Sequence, residues 1–242
     1  MELDPQLAEA HVAHGMILGV YDWDHPAALL AAERAVKLSP GTAGLYEWYI
    51  VYLAAVGRVD EALRSIRHAQ DLDPLSPLVN SNIGVVFYIA RQYEEAIANF
   101  EDCLEDDPHN YYSHWHLGMA YLAFGAVSRA IESFRRALEL SGQNPLVSAL
   151  LVLGYGLNGR QVEAEDALTG ILKRIEREYV CPVPLALAYA GLGDRDRAFR
   201  LIDQAIEERS PLVIWFSYPI FDILRDDVRF GAALSRVGLS SV

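Results

Sequence analysis

The residues DLDPLSPLVNSNIGVVFYIARQYEEAIANFEDCLEDDP, numbered 71–108, contain one complete unit of an internal repeat. An Asp-Pro pair near the start ends at Pro74, and another closes the stretch at Pro108, 34 residues later. Pro40 lies 34 residues before Pro74 and also follows a polar helix end. A period of 34 residues is typical of units that contain two helices. The sequence therefore predicts a fold made of stacked helix pairs.

Glycines and small residues continue the same register where proline is absent. The glycines that lie at multiples of 34 residues from one another, each just before a polar run, are Gly57, Gly125, Gly159 and Gly193. Glycine closes a helix readily because it adopts positive φ without strain. The small residues, which let two helices approach closely, are Ala28, Ala62, Ala96, Ala130, Ala164 and Ala198 at one position, and Ala35, Ala69, Cys103, Ala137 and Ala205 at a second.

These recurring residues resemble the tetratricopeptide-repeat family, in which a bulky residue, a Leu-Gly pair and an aromatic mark the first helix, and Ala, Phe and Ala mark the second. The clearest copy consists of His114, Leu117, Gly118, Tyr121, Ala130, Phe134 and Ala137. The resemblance implies an all-α fold, a right-handed α-solenoid of about six helix-turn-helix repeats with a C-terminal capping helix. It covers residues 9–210, with repeats beginning near residues 9, 43, 77, 111, 145 and 179.

Both ends of the chain depart from this register. Residues 1–8 contain MELDP, which is expected to be the end of a preceding repeat or simply the start of the chain. Residues 211–242 are rich in aromatic and apolar side chains and are predicted to form a capping segment that ends in an amphipathic helix, because a solenoid must cover its last open face. The first repeat also carries one extra residue around Tyr21 to His25, so its turn is expected to differ from the others.

Composition narrows the class of partner. The net charge of −13, from 20 Lys and Arg against 33 Asp and Glu, would repel nucleic acid and anionic membrane surfaces alike. No apolar run approaches the roughly 20 residues that a membrane span needs, so no membrane insertion is expected. With only two cysteines, a disulfide framework is not expected. These features favour a cytoplasmic protein, or an extracytoplasmic one if a longer parent protein supplies an upstream membrane span.

No group of residues predicts catalysis. Residues 154–159, GYGLNG, match the GxGxxG pattern of dinucleotide-binding folds, but Gly159 is already explained by the repeat, and the residues that follow are helical rather than a second strand. The histidines are too dispersed for a metal site, and the chain has no HExxH motif, phosphate-binding loop, nucleophile elbow or CxxC pair. We therefore expect no enzyme activity, no metal and no cofactor.

The predicted binding surface is the inner groove, which first-helix residues line in this family. Its predicted contact residues are Glu47, Val51, Ser81, Asn82, Val85, Tyr88, Tyr112, Trp115, His116 and Met119. Family members that clamp a terminal carboxylate use Lys, Arg and Asn there, and only Asn82 fits that chemistry, so a protein or peptide partner of apolar or aromatic character is expected instead. The sequence leaves an alternative open, in which neighbouring helices or the aromatic segment from Trp215 to Tyr218 bury these side chains.

A weaker resemblance concerns the parent protein. The segments YDWD at 21–24, LDPLSP at 72–77 and RDDVRF at 225–230 are similar to tandem repeats at the carboxyl end of multidomain bacterial regulators. This resemblance implies a sensing or scaffolding role in a larger signalling protein. Self-association through the groove or the first helix is the alternative role.

Overall fold

The computed structural model describes residues 5–239, and within that range the chain is helical and contains no strand. Thirteen α-helices occur there: α1 Ala8–Met16, α2 His25–Leu38, α3 Gly44–Ala55, α4 Val59–Leu72, α5 Pro77–Ile89, α6 Tyr93–Asp106, α7 Tyr111–Phe124, α8 Val127–Leu140, α9 Pro145–Leu157, α10 Gln161–Ile175, α11 Pro182–Gly191, α12 Arg195–Glu207 and α13 Val228–Arg236. They form a right-handed α-solenoid, as predicted. The outermost parts of the predicted end segments, residues 1–4 and 240–242, lie outside the described residues.

Between residues 5 and 239, six helix pairs stack in order, and each first helix contacts the second helix of its own pair. The first helices α3, α5, α7, α9 and α11 are buried on most sides, whereas the second helices present charged residues to water. This difference follows from the sequence, because only a helix sandwiched within a stack can carry apolar residues all round.

A hydrogen bond that recurs in four repeats shows where the register shifts. In each case a side chain near the start of a first helix donates to the carbonyl of the proline six residues earlier. The four bonds are His11 Nε2 to Pro5 O (3.2 Å), Tyr46 Oη to Pro40 O (3.3 Å), Asn80 Nδ2 to Pro74 O (3.0 Å) and His114 Nε2 to Pro108 O (3.1 Å). From Tyr46 onwards the spacing is 34 residues, but His11 and Tyr46 are 35 apart.

The extra residue of the first repeat is absorbed by a π-helical turn, Ile17–Tyr21, which continues α1. A π turn accommodates one additional residue in a helix without breaking it. The predicted irregularity around Tyr21 to His25 therefore begins within the helix, slightly before the expected turn.

Close contacts between helices use the small residues of the repeat. Ala28, Ala62, Ala96, Ala130, Ala164 and Ala198 are all fully buried. At the second position Ala35, Ala69, Ala137 and Ala205 are fully buried as well, and Cys103 is half-buried. The predicted register thus places these side chains at helix contacts.

Replacement of Ala96 by Leu should lower the free energy of unfolding by about 1–3 kcal/mol, because the larger side chain has no space at a close helix contact. Ala98 lies on the same helix and is exposed, so Ala98→Leu is the matched control and should change stability by less than about 0.5 kcal/mol. Urea denaturation of both variants measures the difference. Equal stability of the two variants would show that Ala96 does not lie at a tight contact.

The C-terminal segment forms two 3₁₀ turns, Pro211–Ser217 and Pro219–Leu224, followed by α13. α13 packs on α12 at the end of the stack, as expected of a cap. The 3₁₀ turns instead run along the inner face, where they contact α3, α7 and α11, and the first of them reaches the π turn of the first repeat. The segment therefore joins the last repeat to the first, in addition to covering the stack end.

Within residues 5–239, no helix is both long enough and apolar enough to cross a membrane.

Candidate functional site

The predicted groove residues fall into two groups in the structure. Six are buried and form the floor of the groove: Ser81, Asn82, Val85, Tyr88, His116 and Met119. The other four are only half-buried: Glu47, Val51, Tyr112 and Trp115. All ten lie on the first helices α3, α5 and α7.

The chain's own C-terminal segment covers the floor. The Trp215 ring lies 5.4 Å from the Trp115 ring, and the Tyr218 ring lies edge-on to Tyr88 at 6.1 Å. Trp215 and Tyr218 also stack on each other, with centroids 5.9 Å apart. Of the two arrangements that the sequence left open, these contacts match the one in which the segment from Trp215 to Tyr218 packs on the predicted groove: Tyr88 is fully buried, and Trp115 is only half-buried.

Polar side chains of the groove bond to one another and to the backbone. Tyr112 Oη donates to Asn82 Oδ1 at 3.1 Å, and Asn82 Nδ2 donates to the backbone carbonyl of Glu47 at 3.3 Å. Ser81 Oγ and Ser113 Oγ share a hydrogen bond of 2.9 Å. Asn82, the one residue that fits the clamp chemistry, is therefore committed to bonds within the chain. Burial also raises the pKa of the Tyr112 hydroxyl, so that it remains a neutral donor.

His116 is a core residue of the groove floor. Its Nδ1 donates to the Tyr112 carbonyl at 2.9 Å, and its ring stacks on Trp115 with centroids 4.5 Å apart. Burial disfavours the imidazolium form and lowers the pKa of His116 to about 4, although the bond to Tyr112 opposes this shift. The ring is therefore neutral near pH 7.

Arg91 holds the C-terminal segment, and sequence reasoning missed it. It occupies the position that glycine fills in other repeats, 34 residues after Gly57 and 34 before Gly125, and its φ is +63°. Its guanidinium makes a two-point ion pair with Asp222, at 2.5 and 2.9 Å. Burial opposes the charge on Asp222, but hydrogen bonds from Arg91 and Arg225 outweigh it and hold the pKa of that carboxyl below its usual range. The sequence marked this position only by the glycine missing from the 34-residue series.

Two further contacts tie the first repeat to the C-terminal part of the chain. Arg209 Nη1 donates to the Tyr21 carbonyl at 2.8 Å, and its guanidinium lies over the Tyr21 ring at 5.1 Å. His25 Nε2 donates to the Val237 carbonyl at 2.8 Å, while its Nδ1 lies 2.5 Å from Tyr52 Oη. These pairs are separated by about 190 to 210 residues, and no local pattern in the sequence indicated them.

Four of the predicted groove residues and two apolar residues of the C-terminal segment are only half-buried. We define the groove rim as Glu47, Val51, Tyr112 and Trp115, together with Leu212 and Ile214 of the C-terminal segment. Burial raises the pKa of Glu47, and its carboxylate has no hydrogen bond or ion pair among the described residues. The rim is therefore the part of the predicted groove that stays accessible.

The glycines of the GxGxxG match serve helix packing. Gly156 lies within α9, and a Cβ placed on it would come 2.2 Å from the carbonyl oxygen of Gly191 in α11. The pair thus lets two first helices touch through their backbones. Gly159 has a φ of +70° and closes α9, as the repeat predicted.

Gly156→Ala should lower the free energy of unfolding by about 1–3 kcal/mol, because the added methyl meets backbone that can move only if the helices separate. Gly170 is the matched control, since it lies in α10 with no atom near its Cβ position. Gly170→Ala should stabilise the chain by about 0.5–1 kcal/mol through the lower entropy of the unfolded state. Thermal unfolding of both variants tests this, and destabilisation of both by similar amounts would contradict it.

Neither metal ligands nor cysteines form a site in the described part of the chain. No three His, Cys, Asp or Glu side chains between residues 5 and 239 converge as metal ligands. Cys103 and Cys181 are free thiols, and burial raises the pKa of both.

Comparison with known proteins identifies the repeats. The sequence model of the tetratricopeptide repeat matches residues 82–145. Human tetratricopeptide repeat protein 13 is 26% identical over 143 residues, which cover 57% of this chain and 16% of that protein. The interferon-induced protein with tetratricopeptide repeats 2 of Cricetulus griseus is 30% identical over 120 residues, which cover 48% of this chain and 25% of that protein. The chain thus spans a quarter or less of either relative.

Solved structures share the fold. The type IV pilus biogenesis factor PilW superposes with a TM-score of 0.61 at 21% identity, covering 83% of this chain and 92% of its own. TTC0263, a protein from Thermus thermophilus, gives a TM-score of 0.54 at 18% identity, covering 94% and 99%. At these identities the likeness establishes the architecture alone.

Proposed function

We propose that this chain, which belongs to the tetratricopeptide-repeat family, is the sensing or regulatory part of a larger bacterial signalling protein, and that its partner contacts the groove rim. The family and the fold are those of protein-interaction scaffolds. The observation that carries the proposal is the set of apolar and aromatic side chains left half-exposed at the rim after the chain's own segment has filled the floor.

A comparison of burial and binding energies favours the rim over the floor as the place where a partner binds. Phe216, Phe221 and Phe230 of the C-terminal segment are fully buried, and each such side chain contributes about 1.5–3 kcal/mol of burial energy. Other large residues of the segment are buried beside them. A partner of micromolar affinity supplies only about 8 kcal/mol in total. Such a partner does not displace the C-terminal segment, because the segment is bound more strongly. It binds at the groove rim instead.

The chemistry of the rim indicates an apolar or aromatic partner segment. Contacts within the chain hold Tyr112 and Trp115: the Tyr112 hydroxyl is bonded to Asn82, and the Trp115 ring contacts the rings of His116 and Trp215. Rigid aromatic side chains lose little entropy on binding and are enriched among interface residues that dominate affinity. The rim contains no Lys or Arg, so affinity should depend little on salt.

Trp115→Ala should weaken partner binding by about 2 kcal/mol, a loss of roughly thirty-fold, because it removes the largest side chain of the rim. The partner is captured from the native host with the unsubstituted chain and identified. It is then titrated against each variant. Tyr179→Ala is the matched control, since Tyr179 is exposed and lies outside the rim. A second rim variant, Val51→Ser, removes an apolar side chain on α3 and leaves the Trp115 ring in place.

Two results would show that the partner does not bind at the groove rim. One is a partner that binds Trp115→Ala and Val51→Ser as tightly as the parent. The other is a complex that dissociates at modest salt, because an apolar contact resists screening. Thermal unfolding of each variant separates lost binding from lost folding.

Self-association is the second candidate, because the groove already binds an aromatic segment of its own chain through the contact between Trp115 and Trp215. A second copy could use the same rim. Light scattering over a range of concentrations distinguishes the two candidates, since a concentration-dependent dimer that Trp115→Ala abolishes supports self-association.

A further inference from the structure

A second cleft lies at the edge of the solenoid where consecutive repeats connect. It has a volume of about 310 Å³ and lies between the α4–α5 and α6–α7 connections. We define this connector cleft by its lining residues: Pro74, Leu75, Pro77, Asn80, Cys103, Asp106, Asp107 and Asn110. None of them belongs to the groove rim or to the C-terminal segment.

An apolar side chain projects at the lip of the cleft. Leu75 is 87% exposed and stands between Pro74 and Pro77, whose rings restrict the backbone on either side. Leu78 and Tyr111, which follow the two connections, are exposed as well. Because the loop is restricted before any partner arrives, contact with Leu75 would cost little ordering entropy.

One wall of the cleft is acidic. Residues 92–128 contain no Lys or Arg, although α6 and the connection after it carry repeated Asp and Glu. Asp106 and Asp107 line the cleft, and neither forms an ion pair within residues 5–239. Like charges held close together repel one another, and a basic group placed among them relieves that repulsion.

We infer that the connector cleft binds a protein segment that carries leucine side chains flanked by Lys or Arg. The apolar contact with Leu75 and the cleft wall would anchor the segment, and the carboxylates of Asp106 and Asp107 would select its charge. The acidic wall argues against a nucleic acid or an anionic membrane as the occupant, because both carry the same sign of charge. This site does not depend on the groove rim.

Three synthetic 14-residue peptides test the inference: one of Leu and Lys in an amphipathic pattern, one with Ser in place of Leu, and one with Glu in place of Lys. We expect the Leu/Lys peptide to bind at least ten-fold more tightly than either of the others, as measured by fluorescence anisotropy at low salt. Leu75→Ser and the double variant Asp106→Asn, Asp107→Asn should each weaken it at least five-fold. Trp115→Ala should leave it unchanged.

Cys103 gives a second readout, because it lies in the cleft wall whereas Cys181 lies elsewhere, beside Ser210. Bound Leu/Lys peptide should slow maleimide labelling of Cys103 and leave Cys181 as the internal reference. Equal binding of the Leu/Lys and Ser/Lys peptides would show only general charge attraction and overturn the inference. So would binding that survives both cleft variants, or unchanged labelling of Cys103 at saturating peptide.

Discussion

Phe221→Ala is expected to lower the free energy of unfolding by about 3–5 kcal/mol, the largest effect expected of any single substitution considered for this chain. Phe221 is fully buried, although it lies in the irregular segment beyond the repeats. Its ring stacks on Phe230 with centroids 5.6 Å apart and meets Phe216 edge-on at 5.2 Å. Truncation to Ala would leave a cavity that neighbours fixed by a 3₁₀ turn and α13 cannot fill by relaxing.

Val228→Ala is the matched control, because Val228 belongs to the same segment but is 88% exposed. It should change stability by less than about 0.5 kcal/mol. Urea denaturation followed by tryptophan fluorescence and by far-ultraviolet circular dichroism measures both variants. If Phe221→Ala were as stable as Val228→Ala, the segment would not be part of the core. Non-coincident transitions in the parent chain would show that the segment detaches before the repeats unfold.

The parent chain should lose about 3 kcal/mol of stability between pH 6.5 and pH 4 because of His116 alone. Burial lowers the pKa of His116 to about 4, below its usual value of 6.5. In this pH window the unfolded chain binds a proton on His116 that the folded chain excludes, so stability falls as the pH is lowered. The loss is complete below about pH 3, where both states bind the proton, and each pKa unit corresponds to about 1.4 kcal/mol.

His116→Phe tests this assignment, since the Phe ring can keep the aromatic contact with Trp115 and cannot take up a proton. The free energy of unfolding of the parent minus that of His116→Phe should decrease from about pH 7 to about pH 3 and then become constant. The subtraction removes contributions from other groups, including His114, whose pKa is also lowered by burial. A pH-independent difference for His116→Phe would mean that the ring is accessible to water.

Contacts between the C-terminal segment and the first and third repeats close the solenoid. Asp222 pairs with Arg91 of the third repeat, and Val237 accepts a hydrogen bond from His25 of the first. The inner groove, which an open solenoid offers to a ligand, is here largely interior. Partner binding is therefore proposed at the rim and at the connector edge, where side chains stay exposed.

Much of the fold was predictable because its signals are local. The spacing of prolines and glycines indicates turns, because these residues adopt the backbone geometry of a turn easily. Pro74, Pro108 and Gly125 are examples. Ala96 and the alanines at the same position of the other repeats indicate helix contacts, because a small side chain is required wherever two helices approach closely. The GxGxxG match lies in a helical context, since Gly156 belongs to α9.

The sequence by itself determined the helix pairs and their register, and it predicts an inner face that carries Tyr112, Trp115 and Met119, because a 34-residue period fixes which side chains share a side of the stack. Only the tertiary structure decided what covers that face. Trp215 lies 100 residues from Trp115, and contacts at such separations depend on the curvature of the whole solenoid and on the path of the chain after its last repeat. No local pattern encodes either quantity, and for that reason the same aromatic side chains were compatible with an open groove and with a filled one.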